Sequence, residues 1–201
     1  AGTWPDTRMP DGFTDDERAA IRERLLAAGR ERFARYGRSK TTVAELTDEA
    51  GIADGTFYRF FDSKLDLYAA VLEREGEEIL PELLAPLERH DDPETALAAF
   101  MRRVCAEIET NPLVERLLVD RAELERLRDH YGPEGVAEER EQSLAYFLPY
   151  VEAWYETGAV HGPDPETVAS AVRAVTFVTL HRQDLGENLY EPTRELLIDA
   201  V

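Results

Sequence analysis

Apolar residues recur at spacings of three and four along most of the chain, and no stretch shows the strict alternation of a half-buried strand. The pattern predicts an all-helical protein. Over 15–36, Ile21, Leu25, Ala28 and Phe33 form one stripe, Asp15, Asp16 and Glu17 stand at the positive end of the helix dipole, and Gly37 marks the stop. Thr42 precedes Glu45 by three residues, the capping-box spacing. It opens a short helix that buries Val43, Leu46 and Ala50, leaves Glu45, Asp48 and Glu49 toward water, and ends at Gly51. Only Ile52 and Ala53 separate it from a second helix over 54–60, so the two must cross steeply as a helix-turn-helix. Ser63 and Asp66 repeat the capping spacing and start a helix over 65–80, with Leu65, Tyr68, Val71, Leu72 and Ile79 inward and a break at Pro81 and Pro86. Five further helices are expected over 93–109, 112–129, 134–157, 164–185 and 192–200. They are punctuated by Asn111-Pro112, Gly132-Pro133, Gly158, Gly162-Pro163 and Glu191-Pro192, and Pro149 kinks the third.

The segment over 54–60 carries the most suggestive chemistry. Phe57, Phe60 and Phe61 can pin it to a core, while Thr56, Tyr58 and Arg59 offer hydroxyls and a guanidinium that suit phosphate oxygens and base edges. Lys64 falls in a helix's first turn, where free amides and an ammonium together attract a phosphate. On spacing alone, an ordinary solvated surface fits these residues equally well.

Thr42 to Leu67 read Thr-Val-x-x-Leu-x-x-x-Ala-Gly-Ile-x-x-Gly-Thr-Phe-Tyr-x-x-Phe-x-Ser-Lys-x-x-Leu, which closely resembles the DNA-binding signature of TetR/AcrR-type transcriptional regulators. The resemblance implies an N-terminal three-helix DNA-binding domain with a helix-turn-helix over 15–64 and a C-terminal helical domain for ligand binding and dimerisation over 65–201, after a flexible arm over 1–14. It also implies that Thr42 and Lys64 grip phosphates, that Tyr58 packs near the sugar-phosphate backbone, and that Gly55, Thr56 and Arg59, with Phe57 in the same segment, approach the major groove. Arg38, Lys40 and Thr41 stand beside Thr42 and extend that grip. Arg18, Arg22 and Arg24 either graze the DNA backbone or pair with Glu23 and its neighbours. Two positions depart from the family: Ala53 stands where a serine usually caps the recognition helix, and Asp54 where a lysine is frequent.

Charge sharpens this picture. Residues 15–74 carry 11 basic and 12 acidic side chains, a net of −1, whereas 75–201 carry 11 against 28, a net of −17. The end expected to meet phosphate is spared the acidity of the rest, as favourable association requires. Both lysines of the chain, Lys40 and Lys64, lie in it. Acidity with 21 arginines and two lysines also resembles the composition of proteins from salt-loving cells. Cys105 is the single cysteine, which excludes an intrachain disulfide and fits a reducing cytoplasm; no apolar run reaches the length of a membrane span, and Ala1 to Gly12 lack a secretory pattern.

Enzymatic signals are weak. His90, His130, His161 and His181 have no close metal spacing, and no phosphate loop or nucleophile elbow occurs, so neither catalysis nor a cofactor is expected. Tyr146, Tyr150 and Trp154 recur every four residues, a stripe that is either core or, as the resemblance implies, part of an apolar effector cavity lined by Phe100, Val104, Leu117, Tyr146, Tyr150, Phe177 and His181. Val168, Ala171, Val172, Val175, Val178 and Thr179, with Leu196, Leu197 and Val201, resemble the family's contribution to a four-helix dimer interface. The expected function is a dimeric, ligand-responsive repressor, released from a palindromic DNA operator by an apolar or amphipathic effector. The alternative is an acidic helical module that binds a ligand or protein and has lost DNA reading.

Overall fold

The computed structural model describes residues 13–200. Of the expected arm, Ala1 to Gly12 lie outside the described residues. Phe13 and Thr14 lie within them, and Thr14 closes a capping box with Glu17: the Thr14 amide donates to Glu17 Oε2 at 2.8 Å and the Glu17 amide to Thr14 Oγ1 at 3.2 Å. All regular structure among the described residues is helical. The chain divides into two compact units, one ending at Val71 and one beginning at Leu72.

The first unit contains α1 (Asp15–Tyr36), α2 (Val43–Ala50), α3 (Asp54–Phe57) and the start of α4 (Lys64–Arg89). Ile21, Leu25, Leu26, Ala28 and Phe33 of α1 are buried together with Leu46, Ala50, Phe57, Phe61, Leu67, Tyr68 and Val71. Gly29 sets how closely α1 and α4 approach, because a Cβ there would lie 3.0 Å from Val71 Cγ2 and 3.2 Å from the Phe33 ring. That ring meets Tyr68 edge-on at 5.2 Å.

The second unit contains the rest of α4, then α5 (Pro93–Thr110), α6 (Pro112–Val119), α7 (Arg121–Ala145), α8 (Leu148–Glu156), α9 (Pro165–Thr176), a 3₁₀ segment (Phe177–His181), α10 (Arg182–Leu185) and α11 (Glu187–Asp199). Leu87, Leu97, Phe100, Met101, Phe147, Val151, Val172 and Ile198 share its core. Polar side chains then lock α11 to α5. Arg102 donates to Glu195 at 2.7 Å and Asp199 at 3.0 Å, and Arg194 donates to Glu109 at 2.9 Å, as does the buried Tyr190 hydroxyl.

Several helix boundaries differ from expectation, each for a local reason. α4 runs unbroken through Pro81 and Pro86, because Leu84 and Leu87, one after each proline, pack on the core and that burial outweighs the lost backbone bonds. The helix expected over 112–129 divides at Asp120, whose carboxylate accepts from the Ala122 and Glu123 amides and so caps α7. Pro149 opens α8 instead of kinking a longer helix; the chain leaves helical register at Tyr146 and Phe147, although Gly132 does interrupt α7 with φ 70° as expected. Thr176 and Thr179 donate to the carbonyls three residues before them, so α9 tightens into the 3₁₀ segment instead of continuing to 185. Gly186, at φ 76°, starts α11 well before Pro192.

Cys105 is fully buried, and burial pushes its thiol up to about 11. The folded protein is therefore expected to resist iodoacetamide at neutral pH and to react with one equivalent once denatured. Rapid alkylation of the native chain would show that α5 opens.

Candidate nucleic-acid interface

Thr42, at the head of α2, accepts a hydrogen bond from the Glu45 amide at 3.2 Å, and its own amide donates to Glu45 Oε2 at 2.8 Å, so the expected capping box forms. Glu45 and Glu49 do not simply face water. Arg32 of α1 donates to Glu45 at 3.1 Å and to Glu49 at 2.7 Å, bolting α1 to α2. The Thr42 amide and hydroxyl, with a smaller contribution from Arg32, hold the Glu45 carboxyl below its ordinary value.

Gly51 ends α2 at φ 67°. α3 is a single turn, shorter than the sequence suggested, and Ala53 gives it no side-chain cap. Asp54 serves a different purpose. Its carboxylate accepts from the hydroxyl of Thr47, a fully buried residue of α2, so its charge braces the two helices across the turn. Behind α3, Phe57 is fully buried and Phe61 nearly so, their rings 6.0 Å apart. In front, Tyr58 is 61% exposed, Gly55 and Arg59 are exposed, and Thr56 is half-buried. Among the described residues, a Cβ at Gly55 would meet no atom within 4 Å.

Ser63 accepts from the Leu65 and Asp66 amides, both at 3.2 Å, and donates to Asp66, capping α4 where the spacing placed it. Lys64 is half-buried, and its ammonium donates to the Thr41 carbonyl, tying the start of α4 to the loop before α2. Thr41 is itself buried and donates to the Gly37 carbonyl at 2.9 Å. Two nominated side chains, those of Thr41 and Phe57, are thus internal supports and not contact groups. Lys40 and Thr42 remain exposed.

Arg18 lies over the Phe60 ring at 5.3 Å and Arg22 over the Phe61 ring at 5.4 Å, while Arg24 Nη1 stands 3.7 Å from the Cβ position of Gly51. The aromatic backs of Arg18 and Arg22 were not apparent from sequence, because residues forty apart meet only when the helices fold together.

Of the residues expected to line an effector cavity, Phe100, Val104 and Tyr150 meet at the core of the second unit, whereas Leu117, Tyr146, Phe177 and His181 are not part of that cluster. Phe100 is core, its ring 5.1 Å from Phe147, and Val104 packs beside the same core. Tyr150 is half-buried and donates to Glu88 at 3.2 Å, whereas Leu117 is half-buried on α6. Tyr146 and Phe177 are exposed, the latter beneath Arg173, and exposed His181 pairs with Asp184 at 3.0 Å. The nomination assumed one helix over 134–157 and another over 164–185, and both are interrupted. Of the stripe proposed for dimer contact, Val168, Val172 and Thr179 are buried within the chain, and Val201 lies outside the described residues.

Residues 25–71 match the family model for bacterial regulatory proteins of the tetR family. Among curated proteins, the chain is similar to the nucleoid occlusion factor SlmA of Glaesserella parasuis serovar 5, with 26% identity over 120 residues covering 60% of this chain and 58% of that one. The chain thus spans a little over half the length of that relative. Among solved structures, a TetR-family transcriptional regulator from Pectobacterium atrosepticum superposes with a TM-score of 0.72 at 21% identity, covering 94% of this chain and 93% of that one. RolR in complex with resorcinol does so with a TM-score of 0.63 at 21% identity, covering 94% and 90%. Residues 25–71 thus carry a domain of the tetR family, in a chain whose fold is shared with solved TetR-family regulators.

Proposed function

We propose that the protein is a ligand-responsive, DNA-binding transcriptional regulator that represses from a palindromic operator. One observation carries the reading. A one-turn helix pinned from behind by Phe57 and Phe61 presents Tyr58 and Arg59 outward beside Gly55, a glycine that packing among the described residues does not require. Close approach of an external partner gives that glycine a purpose. Thr42, Lys40 and the ring-backed Arg18 and Arg22 supply donors for phosphates around it. The bond between Asp54 and Thr47 weighs against the module that has lost DNA reading, since the aspartate that suggested such a loss is occupied internally.

Two copies are required to read a palindrome, and Phe177, Leu180, Leu189, Leu196 and Leu197 leave exposed apolar area for a second chain. The similarity to RolR with resorcinol supports a small effector for the second unit. Such a ligand acts by binding one conformation of the regulator more tightly than another.

A gel shift against the chain's own promoter region tests the proposal. Wild-type protein is expected to retard the fragment, and Gly55→Leu to lose binding by at least tenfold with its melting temperature unchanged. Equal retardation by both would count against contact at α3. The acidity suggests that carboxylates near the duplex take up cations on binding, so affinity is expected to fall only shallowly toward molar KCl. A steep, monotonic loss contradicts that.

A further inference from the structure

We propose that Phe13 is a specificity-determining residue of the DNA-binding head, which acts by holding the Arg59 guanidinium in its reading position. The inference rests on the DNA reading above. Arg59 Cζ lies over the Phe13 ring at 4.9 Å, Phe13 packs on Phe60 with centroids 6.1 Å apart, and Arg18 Cζ lies over Phe60 at 5.3 Å. Two cations therefore bracket a pair of rings. Phe13 immediately precedes the capping box of Thr14 and Glu17, so the beginning of α1 positions its ring independently of α3.

The stack has a specific consequence for recognition. Arg59 follows a helix of one turn and is exposed, and no carboxylate lies within ion-pair distance of it among the described residues. A lone guanidinium there would lose rotamer freedom on reaching a base edge. Resting on a ring removes part of that loss in advance and leaves the in-plane N–H donors free for a bidentate contact. Phe13 lies outside the signature over 42–67 and before the family match at 25–71, so neither discloses it.

The test uses the full chain and a duplex selected by the wild-type protein. Phe13→Ala is expected to weaken binding roughly two- to fivefold, the range of an exposed cation–π contact. It should relax preference at the same base pair as Arg59→Ala, and the double variant should bind no worse than Arg59→Ala alone. Phe13→Trp should restore both affinity and preference. In the free protein, the Arg59 Nε–H resonance is expected to move on Phe13→Ala, as loss of a ring current requires. Additive losses in the double variant, or an unmoved Arg59 resonance, would overturn the proposal while leaving DNA binding intact. A wild-type chain that binds no duplex overturns the DNA reading and this inference together.

Discussion

Replacing Phe57 by alanine is expected to destabilise the N-terminal unit by about 3–5 kcal/mol and to abolish DNA binding. The ring is fully buried, meets Tyr58 edge-on and Phe61 at a tilt, and is the main apolar anchor of a helix only one turn long. A one-turn helix has almost no stability of its own, so its orientation depends on tertiary packing. Removing the ring leaves a cavity behind Tyr58 and Arg59 and frees both from a defined position. Since domains are stable by about 5–15 kcal/mol, the loss is a large share of the total. Urea denaturation followed by circular dichroism measures it. An unchanged midpoint, or an unaltered affinity for DNA, would show that α3 is held by something else.

Tyr190→Ala is expected to cost a similar 3–5 kcal/mol in the second unit, and Tyr190→Phe only about 1.5–3 kcal/mol. The ring is 2% exposed, and Arg182 and Arg194 lie over it at 5.3 and 5.7 Å. The hydroxyl donates to Glu109, which Arg194 also holds. Alanine removes both the packing and the bond, whereas phenylalanine keeps the ring. Because the exposed Leu196 and Leu197 lie on the same helix, the alanine variant should also weaken self-association in sedimentation.

A pH dependence separates the two contributions. Burial first, then the bond to Glu109, raises the Tyr190 phenol above its ordinary value of 10. A group whose pKa is raised in the folded state stabilises fully below its unfolded value, and that stabilisation is lost as pH rises through the folded one. Wild-type stability should therefore fall more steeply above about pH 10 than that of Tyr190→Phe. Parallel curves would mean that the hydroxyl is solvated.

The features that spacing disclosed are those set within a single turn. Thr42 with Glu45, Gly51, and Ser63 with Asp66 all behave as their intervals predict, because capping involves backbone amides three residues away. The stripe of α1 was equally legible, since Ile21, Leu25, Ala28 and Phe33 share one face whatever they pack on. The box of Thr14 and Glu17 has the same spacing, but Glu17 there belongs to the acidic run of the first turn, which the helix dipole alone would explain. Contacts between distant residues were hidden. Nothing local relates Arg32 to Glu45 and Glu49, Asp54 to Thr47, or Phe13 to Arg59. Proline misled in both directions: burial of Leu84 and Leu87 carries α4 past two of them, while Pro149 sits in a first helical turn, where its missing N–H has no cost. The aromatic stripe of Tyr146, Tyr150 and Trp154 was counted along one helix, and the break at Tyr146 divides it.

Selection of the full chain against a pool of random-sequence duplexes tests the central claim most directly, that a head built around α3 reads DNA in pairs. Enrichment of an inverted repeat with half-sites about one helical turn apart, lost in Gly55→Leu, is the predicted result. Recovery of an unenriched pool, or of the same sequences by Gly55→Leu, would contradict it.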